Sequence, residues 1–175
     1  NRSLEFSMAL TLPAAVALVV MAVPIITVLF ERASFTASDT VATAQALSAF
    51  AVGLPAFVLV KVFSPGYFAR EDPRTPMIFA GISVAVNVAL SLILFPFFAH
   101  IGIAIATSVA GWVNAGLLAV VLARRGQFTA DAQIKKRLPL LFAASLLMGV
   151  CLYAAEWGLA DALVAPSLIV RAAAV

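Results

Sequence analysis

Long apolar runs separated by short charged segments organise this sequence. Residues 6–30, 40–60, 75–123 and 138–155 contain no Asp, Glu, Lys or Arg. The third run is about twice the roughly 20 residues that one bilayer crossing needs, and Pro96, His100 and Gly102 punctuate its middle. The pattern therefore predicts five membrane spans, at 6–30, 40–62, 76–98, 101–123 and 138–155, and the start of a sixth near residue 162.

The runs are predicted to be α-helices, because a segment in lipid must satisfy its backbone hydrogen bonds internally. Hydrophobic residues make up 64% of the 175 positions and charged residues 11%, with a mean hydropathy of +1.12. Soluble domains average roughly 45–50% apolar and about 25% charged residues. We therefore expect an all-α, polytopic transmembrane helical bundle that forms a single membrane domain over residues 1–175. The first residue is Asn1 and the last five are RAAAV, so we expect a piece of a longer protein.

Polar residues and prolines predict where the helices begin and where they are interrupted. The stretch 38–40, SDT, offers N-caps for the second span. Thr75 followed by Pro76 is typical of an N-cap with proline in the first helical turn. Proline removes a backbone hydrogen bond and tends to kink a helix. We therefore expect interruptions at Pro13, Pro24, Pro55 and Pro65.

The basic residues lie almost entirely on one side of the predicted spans. If the spans alternate in direction, nine basic residues lie on one side of the membrane and only Arg32 lies on the other. This count leaves out Arg171, which lies in the unfinished sixth span. By the positive-inside rule, the N-terminus and the loops 61–75 and 124–137 are cytoplasmic. Arg2 and eight further residues set this orientation. We expect the eight near lipid headgroups, and they are Lys61, Arg70, Arg74, Arg124, Arg125, Lys135, Lys136 and Arg137. Lys61 is expected to end its helix. Anionic phospholipids are better partners for these short loops than nucleic acid.

Small residues recur every four positions within two of the predicted helices. In the fourth span the row is Gly102, Ala106, Ala110 and Asn114, with Ile103, Thr107, Gly111 and Ala115 beside it. In the second span the row is Ala42, Ala46, Ala49 and Gly53. Such rows let helix backbones approach closely in lipid. We interpret them as helix-packing faces.

A few polar residues lie near the predicted mid-membrane. Asn87 and Ser91 share one face of the third helix, opposite residues 107–114 of the fourth. One interpretation is hydrogen bonding between helices, worth roughly 0.6–2 kcal/mol per contact. The other is a polar cavity lining or a small cation site. That site would be weak, because hard cations prefer charged oxygen ligands and no charged residue lies near the middle of any span.

No catalytic motif is present in the sequence. The single histidine, His100, lies at a predicted membrane-edge turn, and the single cysteine, Cys151, lies within an apolar run. We therefore expect no catalytic residues, no confident metal site and no enzymatic activity.

The stretch 29–76, LFERASFTASDTVATAQALSAFAVGLPAFVLVKVFSPGYFAREDPRTP, is the most distinctive part of the chain. It closely resembles the MurJ (MviN) family of lipid II flippases, through FTASDT, GLPAF, KV and RTP. Ala33, Phe50 and Pro73 depart from the residues usual in that family.

The resemblance implies a bacterial cytoplasmic (inner) membrane protein of fourteen helices in two lobes around a cavity. This chain would supply helices nine to thirteen and the start of fourteen, in the C-terminal lobe. The family moves an undecaprenyl-pyrophosphate-linked peptidoglycan precursor to the periplasmic leaflet by alternating access. The substrate-binding arginines of the family lie mainly in the N-terminal lobe, which is absent from this sequence. The resemblance therefore implies that this lobe of the same polypeptide is a further partner.

The resemblance also bears on cofactors and on alternatives. Some members of the family bind Na⁺ as a possible coupling ion, and Asn87, Ile103 and Thr107 match positions of that site, with Ser91 in place of an acidic residue. Two other functions stay open. One is a drug/cation antiporter or polysaccharide-lipid exporter of the same superfamily. The other is a non-transporting membrane scaffold, which the predicted proline kinks disfavour.

Overall fold

The computed structural model describes residues 2–30, 36–126 and 132–164, the last range without the side chains of 132, 133, 135 and 159–164. All regular secondary structure in these ranges is helical, as predicted. The helices are α1 (Arg2–Val20), α2 (Ala22–Phe30), α3 (Ala37–Phe68), α4 (Arg74–Arg124) and α5 (Ala132–Val164). Four helical segments are long and apolar enough to cross a membrane: Arg2–Val20, Ala37–Phe68, Arg74–Arg124 and Lys136–Gly158.

Proline interrupts the first predicted span only once. Pro24 has no N–H to donate to the carbonyl of Val20, and α1 gives way to α2 at Met21. Hydrogen bonds from Met21 N to Ala17 O (2.8 Å) and from Ile25 N to Met21 O (3.0 Å) carry the helical path across the break. The other three prolines do not end a helix: α1 runs through Pro13, and α3 runs through Pro55 and Pro65. Neighbouring helices stabilise such prolines in membrane proteins.

Helix α4 is a hairpin of two arms, 74–98 and 100–124. Ala99 leaves helical geometry (φ 46°, ψ −127°) and reverses the chain. Ser83 Oγ in the first arm donates to the carbonyl of Ala110 in the second at 2.8 Å. A Cβ placed on Gly102 would lie 2.9 Å from the backbone of Leu94. These contacts show that the arms are antiparallel neighbours, with the turn where the sequence predicted it.

The starts of α3 and α4 differ from the prediction. Thr36, not the stretch 38–40, precedes α3, and its N–H donates to the Asp39 carboxylate at 2.9 Å. Thr75 lies inside the first turn of α4, where its N–H donates to the Asp72 carboxylate at 3.1 Å. Asp72 therefore provides the side-chain cap that the Thr75–Pro76 pattern predicts at Thr75. In both cases an acidic side chain pairs with a helix-start N–H group, which favours negative charge.

Two helices are longer than predicted. Lys61 does not end α3, which continues for two more turns to Phe68. Helix α5 begins before residue 138 and continues through 156–161, between the predicted fifth span and the predicted start of the sixth. Leu, Ala and Glu have high helix propensity, and Gly158 alone does not stop the helix. The predicted sixth span falls largely outside the described residues.

Helix α3 is the centre of the bundle. It packs against α1, α2 and α4, while α5 packs against α1. One core cluster joins the start of α1 to the end of α3, the end of α4 and the start of α5: Leu4, Met8, Phe63, Tyr67, Leu118, Leu122 and Ile134. A second cluster of Ala22, Ile26 and Ala44 lies at the opposite end. The helix ends that were predicted to be cytoplasmic therefore lie together.

Some of the small residues predicted to pack between helices are buried on α3 and on the second arm of α4. Ala106 and Ala110 are 0% and 3% exposed and Gly102 is buried, as predicted. A Cβ on Gly53 would lie 2.6 Å from Ser108 Oγ. Asn114 is partly buried, and its Oδ1 atom is fully buried without a hydrogen-bond partner.

One of the predicted rows is displaced. Ala42, Ala46 and Ala49 are only half-buried, whereas Ala44, Ala51 and Ala56 on α3 and Ala104 on α4 are almost fully buried. Helix α3 is covered on more than one side, so a single four-residue row does not describe its buried surface.

Gly53→Ala in the full-length protein should lower its stability, because the new methyl group would clash with Ser108. We expect a loss of about 1–2 kcal/mol, the cost of overpacking less the gain in helix propensity. Thermal unfolding in detergent measures this. Gly116→Ala is the matched control, since no heavy atom lies within 4 Å of its added Cβ. A Gly53→Ala variant as stable as Gly116→Ala would contradict the close contact between α3 and α4.

Candidate functional site

The polar residues predicted near mid-membrane form one hydrogen-bonded chain between the two arms of α4. Ser91 Oγ donates to Asn87 Oδ1 at 3.0 Å, and Asn87 Nδ2 donates to Thr107 Oγ1 at 3.2 Å. Thr107 Oγ1 in turn donates to the carbonyl of Ile103 at 2.8 Å. The structure thus brings together all four residues that the sequence proposed as a cavity lining or cation site.

The residues present do not fit a cation site on their own. Their oxygens are neutral, and the hydroxyl protons and the amide N–H are directed at oxygens that a cation would need. No group of three or more His, Cys, Asp or Glu residues that could hold a metal exists in the described ranges. Hard cations are bound most strongly where carboxylate oxygens are among the ligands, and this cluster contains no carboxylate. The arrangement therefore favours the first interpretation, a hydrogen-bonded contact between helices.

Side chains of the second arm of α4 also bind backbone carbonyls of α3, and the sequence pattern does not predict these contacts. Ser108 Oγ donates to the carbonyl of Ala49 at 2.5 Å, and Trp112 Nε1 donates to the carbonyl of Val52 at 3.1 Å. The two donors are four residues apart on one face of the second arm. That spacing was the available signal, but the acceptors are backbone carbonyls, which no sequence pattern identifies.

At the end predicted to be cytoplasmic, Asp72 joins the loop after α3 to the end of α4. Arg125 Nη1 donates to Asp72 Oδ2 at 2.7 Å, and Thr75 Oγ1 donates to the same oxygen at 2.7 Å. The Arg125 guanidinium is 6.0 Å from the ring centre of Tyr67, whose hydroxyl donates to the carbonyl of Leu118 at 2.7 Å. These contacts hold the ends of α3 and of both arms of α4 together.

The hydrogen bond from Arg125, followed by that from Thr75, lowers the pKa of Asp72 from 3.8 to about 2. The charged carboxylate is therefore favoured in the folded protein. Its contribution to stability is present above about pH 4 and is lost as the pH falls toward 2.

A second ion pair joins α1 to α5. Arg137 Nη1 donates to Glu5 Oε1, and the two side chains are 56% and 22% exposed. Thus Arg125 and Arg137, two of the cations expected near headgroups, are paired with acids. Five others are exposed: Lys61, Arg70, Arg74, Arg124 and Lys136. The side chain of Lys135 lies outside the described part of the chain.

An apolar cleft of about 850 Å³ lies between α1, α3 and α5. Met8, Leu12 and Val16 line it from α1, Leu59 from α3 and Phe142 from α5. Trp112 from α4 also reaches it. Because its walls are almost wholly hydrocarbon, the cleft suits an apolar occupant.

Comparison with known proteins identifies the family. The sequence profile described as "Lipid II flippase MurJ" matches residues 1–172. The chain belongs to the MurJ family. A "Probable lipid II flippase MurJ" of Rhizobium meliloti is 56% identical over 158 residues, which are 90% of this chain and 30% of that protein.

More distant members of the family match in the same way. The corresponding protein of Rickettsia prowazekii is 38% identical over 148 residues, 85% of this chain and 28% of its own length. The "Lipid II flippase MurJ" of Thermosipho africanus is 35% identical over 114 residues, 65% and 24% of the two chains. The chain thus spans less than a third of the length of these relatives. Its family and its membrane-length helices make it a multi-pass membrane protein.

Asn87→Leu in the full-length protein should lower stability by about 0.6–2 kcal/mol, because it removes the hydrogen bonds between the arms of α4. The loss should be the same in NaCl and in KCl at equal ionic strength, as measured by thermal unfolding in detergent. Val88→Leu, at a position 53% exposed on the same helix, is the control. A stabilisation of the wild type by Na⁺ over K⁺ that Asn87→Leu abolishes would instead establish a cation site.

Proposed function

We propose that this chain is part of the C-terminal lobe of a flippase that moves the lipid-linked peptidoglycan precursor from the cytoplasmic to the periplasmic leaflet. The observation that carries the proposal is the family match over residues 1–172, supported by relatives whose names state lipid II flippase activity. The function is transport and not catalysis.

The proposed topology has five crossings. They are α1 together with α2, then α3, the two arms of α4, and α5, which alternate in direction. The core cluster that joins Leu4, Tyr67, Leu122 and Ile134 supports this alternation. We place that end at the cytoplasm because the basic residues concentrate there.

Differences in packing between the helices support the proposal that some of them move together during alternating access while another shifts. Gly53 against Ser108, together with the bonds to the carbonyls of Ala49 and Val52, locks α3 to α4. Helix α5 contacts α1 and borders the apolar cleft. We propose that α3 and α4 move as one body, while α5 shifts relative to them.

The pyrophosphate of the precursor must cross a low-dielectric region, where unpaired charge is costly. The predicted span interiors of this chain offer no charged side chain. The cations that neutralise the pyrophosphate are therefore expected in the rest of the protein. Na⁺ as a coupling ion stays a prediction, and no transport step is assigned to the Asn87 cluster.

Depletion of the full-length protein in its bacterium, with no second flippase present, should trap the precursor on the inner leaflet and stop wall synthesis. Accessibility of the precursor to an external probe measures translocation, and re-expression of the wild type is the control. Continued translocation together with increased drug sensitivity would replace the flippase assignment with that of a drug exporter.

The orientation is testable by labelling cysteines in the full-length protein of intact cells, with Cys151→Ser as background. Ala37→Cys and Arg70→Cys lie at exposed positions at opposite ends of the bundle. A membrane-impermeant maleimide should label Ala37→Cys directly and Arg70→Cys only after permeabilisation. Equal labelling of both in intact cells, or labelling of Arg70→Cys alone, would contradict the proposed orientation.

A further inference from the structure

A second pocket lies on the outer side of the α1–α5 contact and is distinct from the apolar cleft. Its volume is about 470 Å³, and its lining consists of Arg2, Glu5, Phe6, Ala9, Arg137 and Leu141. None of these residues lines the apolar cleft. The pocket combines charged and apolar walls, so its chemistry differs from that of the cleft.

The charged rim of this pocket carries one net positive charge, from two arginines and one glutamate. Glu5 is only 22% exposed and accepts a hydrogen bond from Arg137 Nη1, so it fixes the position of that guanidinium. A guanidinium has five N–H donors, and most of those on Arg137 stay available. No ion pair of Arg2 occurs within the described ranges.

The apolar wall begins directly below the rim. Leu141 is one helical turn from Arg137, or about 6 Å along α5 at 1.5 Å per residue. On α1, Phe6 is 71% exposed, and Leu10, one turn deeper, is 77% exposed. Exposed hydrocarbon of this kind on a membrane helix is suited to contact with lipid chains. The lining of the pocket thus changes from cationic to apolar over a distance similar to the thickness of a headgroup region.

We propose that this pocket binds the phosphate headgroup of an anionic phospholipid, with Arg2 and Arg137 on the phosphate and the acyl chains along Phe6 and Leu10. Arginine matches phosphate oxygens in geometry as well as in charge. A single net positive charge suits a phosphodiester, whereas a pyrophosphate would call for more cations. The inference rests on the proposed membrane crossing and orientation, but not on precursor transport.

The test measures lipid adducts of the purified full-length protein by native mass spectrometry. Phosphatidylglycerol is the anionic probe, phosphatidylcholine the zwitterionic one, and glycerol phosphate the soluble one. The informative variant is Arg2→Gln, which leaves the Arg137–Glu5 pair intact. Lys136→Gln is the matched control, because it removes the same charge from an exposed position on the same end of α5, outside the pocket.

We expect phosphatidylglycerol to be retained over phosphatidylcholine, and Arg2→Gln to lower its retention about tenfold, the scale for the loss of one charge-assisted hydrogen bond to the phosphate. Lys136→Gln should have little effect. Thermal unfolding checks that Arg2→Gln is folded. An equal loss in both variants would reduce the site to a diffuse surface potential and overturn the proposal. Retention of glycerol phosphate, or displacement of phosphatidylglycerol by undecaprenyl pyrophosphate, would also overturn it.

These outcomes are separable from those of the transport experiment. The lipid measurement uses purified protein without precursor, so a failure of precursor translocation does not affect it. Conversely, a flippase that translocates precursor normally but shows no effect of Arg2→Gln on lipid retention would lose only the phospholipid site.

Discussion

The close contact between α3 and the second arm of α4 is the interaction on which the rest of the bundle depends. Lipid supplies no hydrophobic drive between helices, so their association requires tight packing and polar contacts. Gly53 provides the space that Ser108 occupies, and Ser108 and Trp112 bind backbone carbonyls of α3. Helix α3 in turn packs against α1 and α2, and α1 packs against α5.

In the described part of the chain, two ion pairs near the ends of the bundle join elements that are distant in sequence. Arg125 binds Asp72 across the ends of α3 and α4, and Arg137 binds Glu5 across α1 and α5. Cationic residues that are predicted to set the orientation therefore also join the helix ends that are predicted to be cytoplasmic. The phospholipid site proposed beside Glu5 would extend this role, because Glu5 holds the Arg137 guanidinium in place.

Much of the architecture was predictable from hydropathy, but details of the helix ends were not. The turn near Ala99 agreed with the break expected between 98 and 101. Prolines did not mark helix ends, since α3 continues through Pro55 and Pro65. The Asn87–Thr107 contact followed from an antiparallel hairpin with a short turn. The partners of Ser108 and Trp112 did not, because any carbonyl of a neighbouring helix is an equally plausible acceptor.

The sequence by itself determined the solvent, the helical class, the family and the alternation of helix direction. These properties depend on composition, on the lengths of apolar runs and on a distinctive stretch of residues, all of which are local. The tertiary structure alone decided which small residues are buried, which arginines are paired with acids and where the two pockets lie. Those features depend on the rotation of each helix about its axis, which is set by contacts between surfaces far apart in the chain.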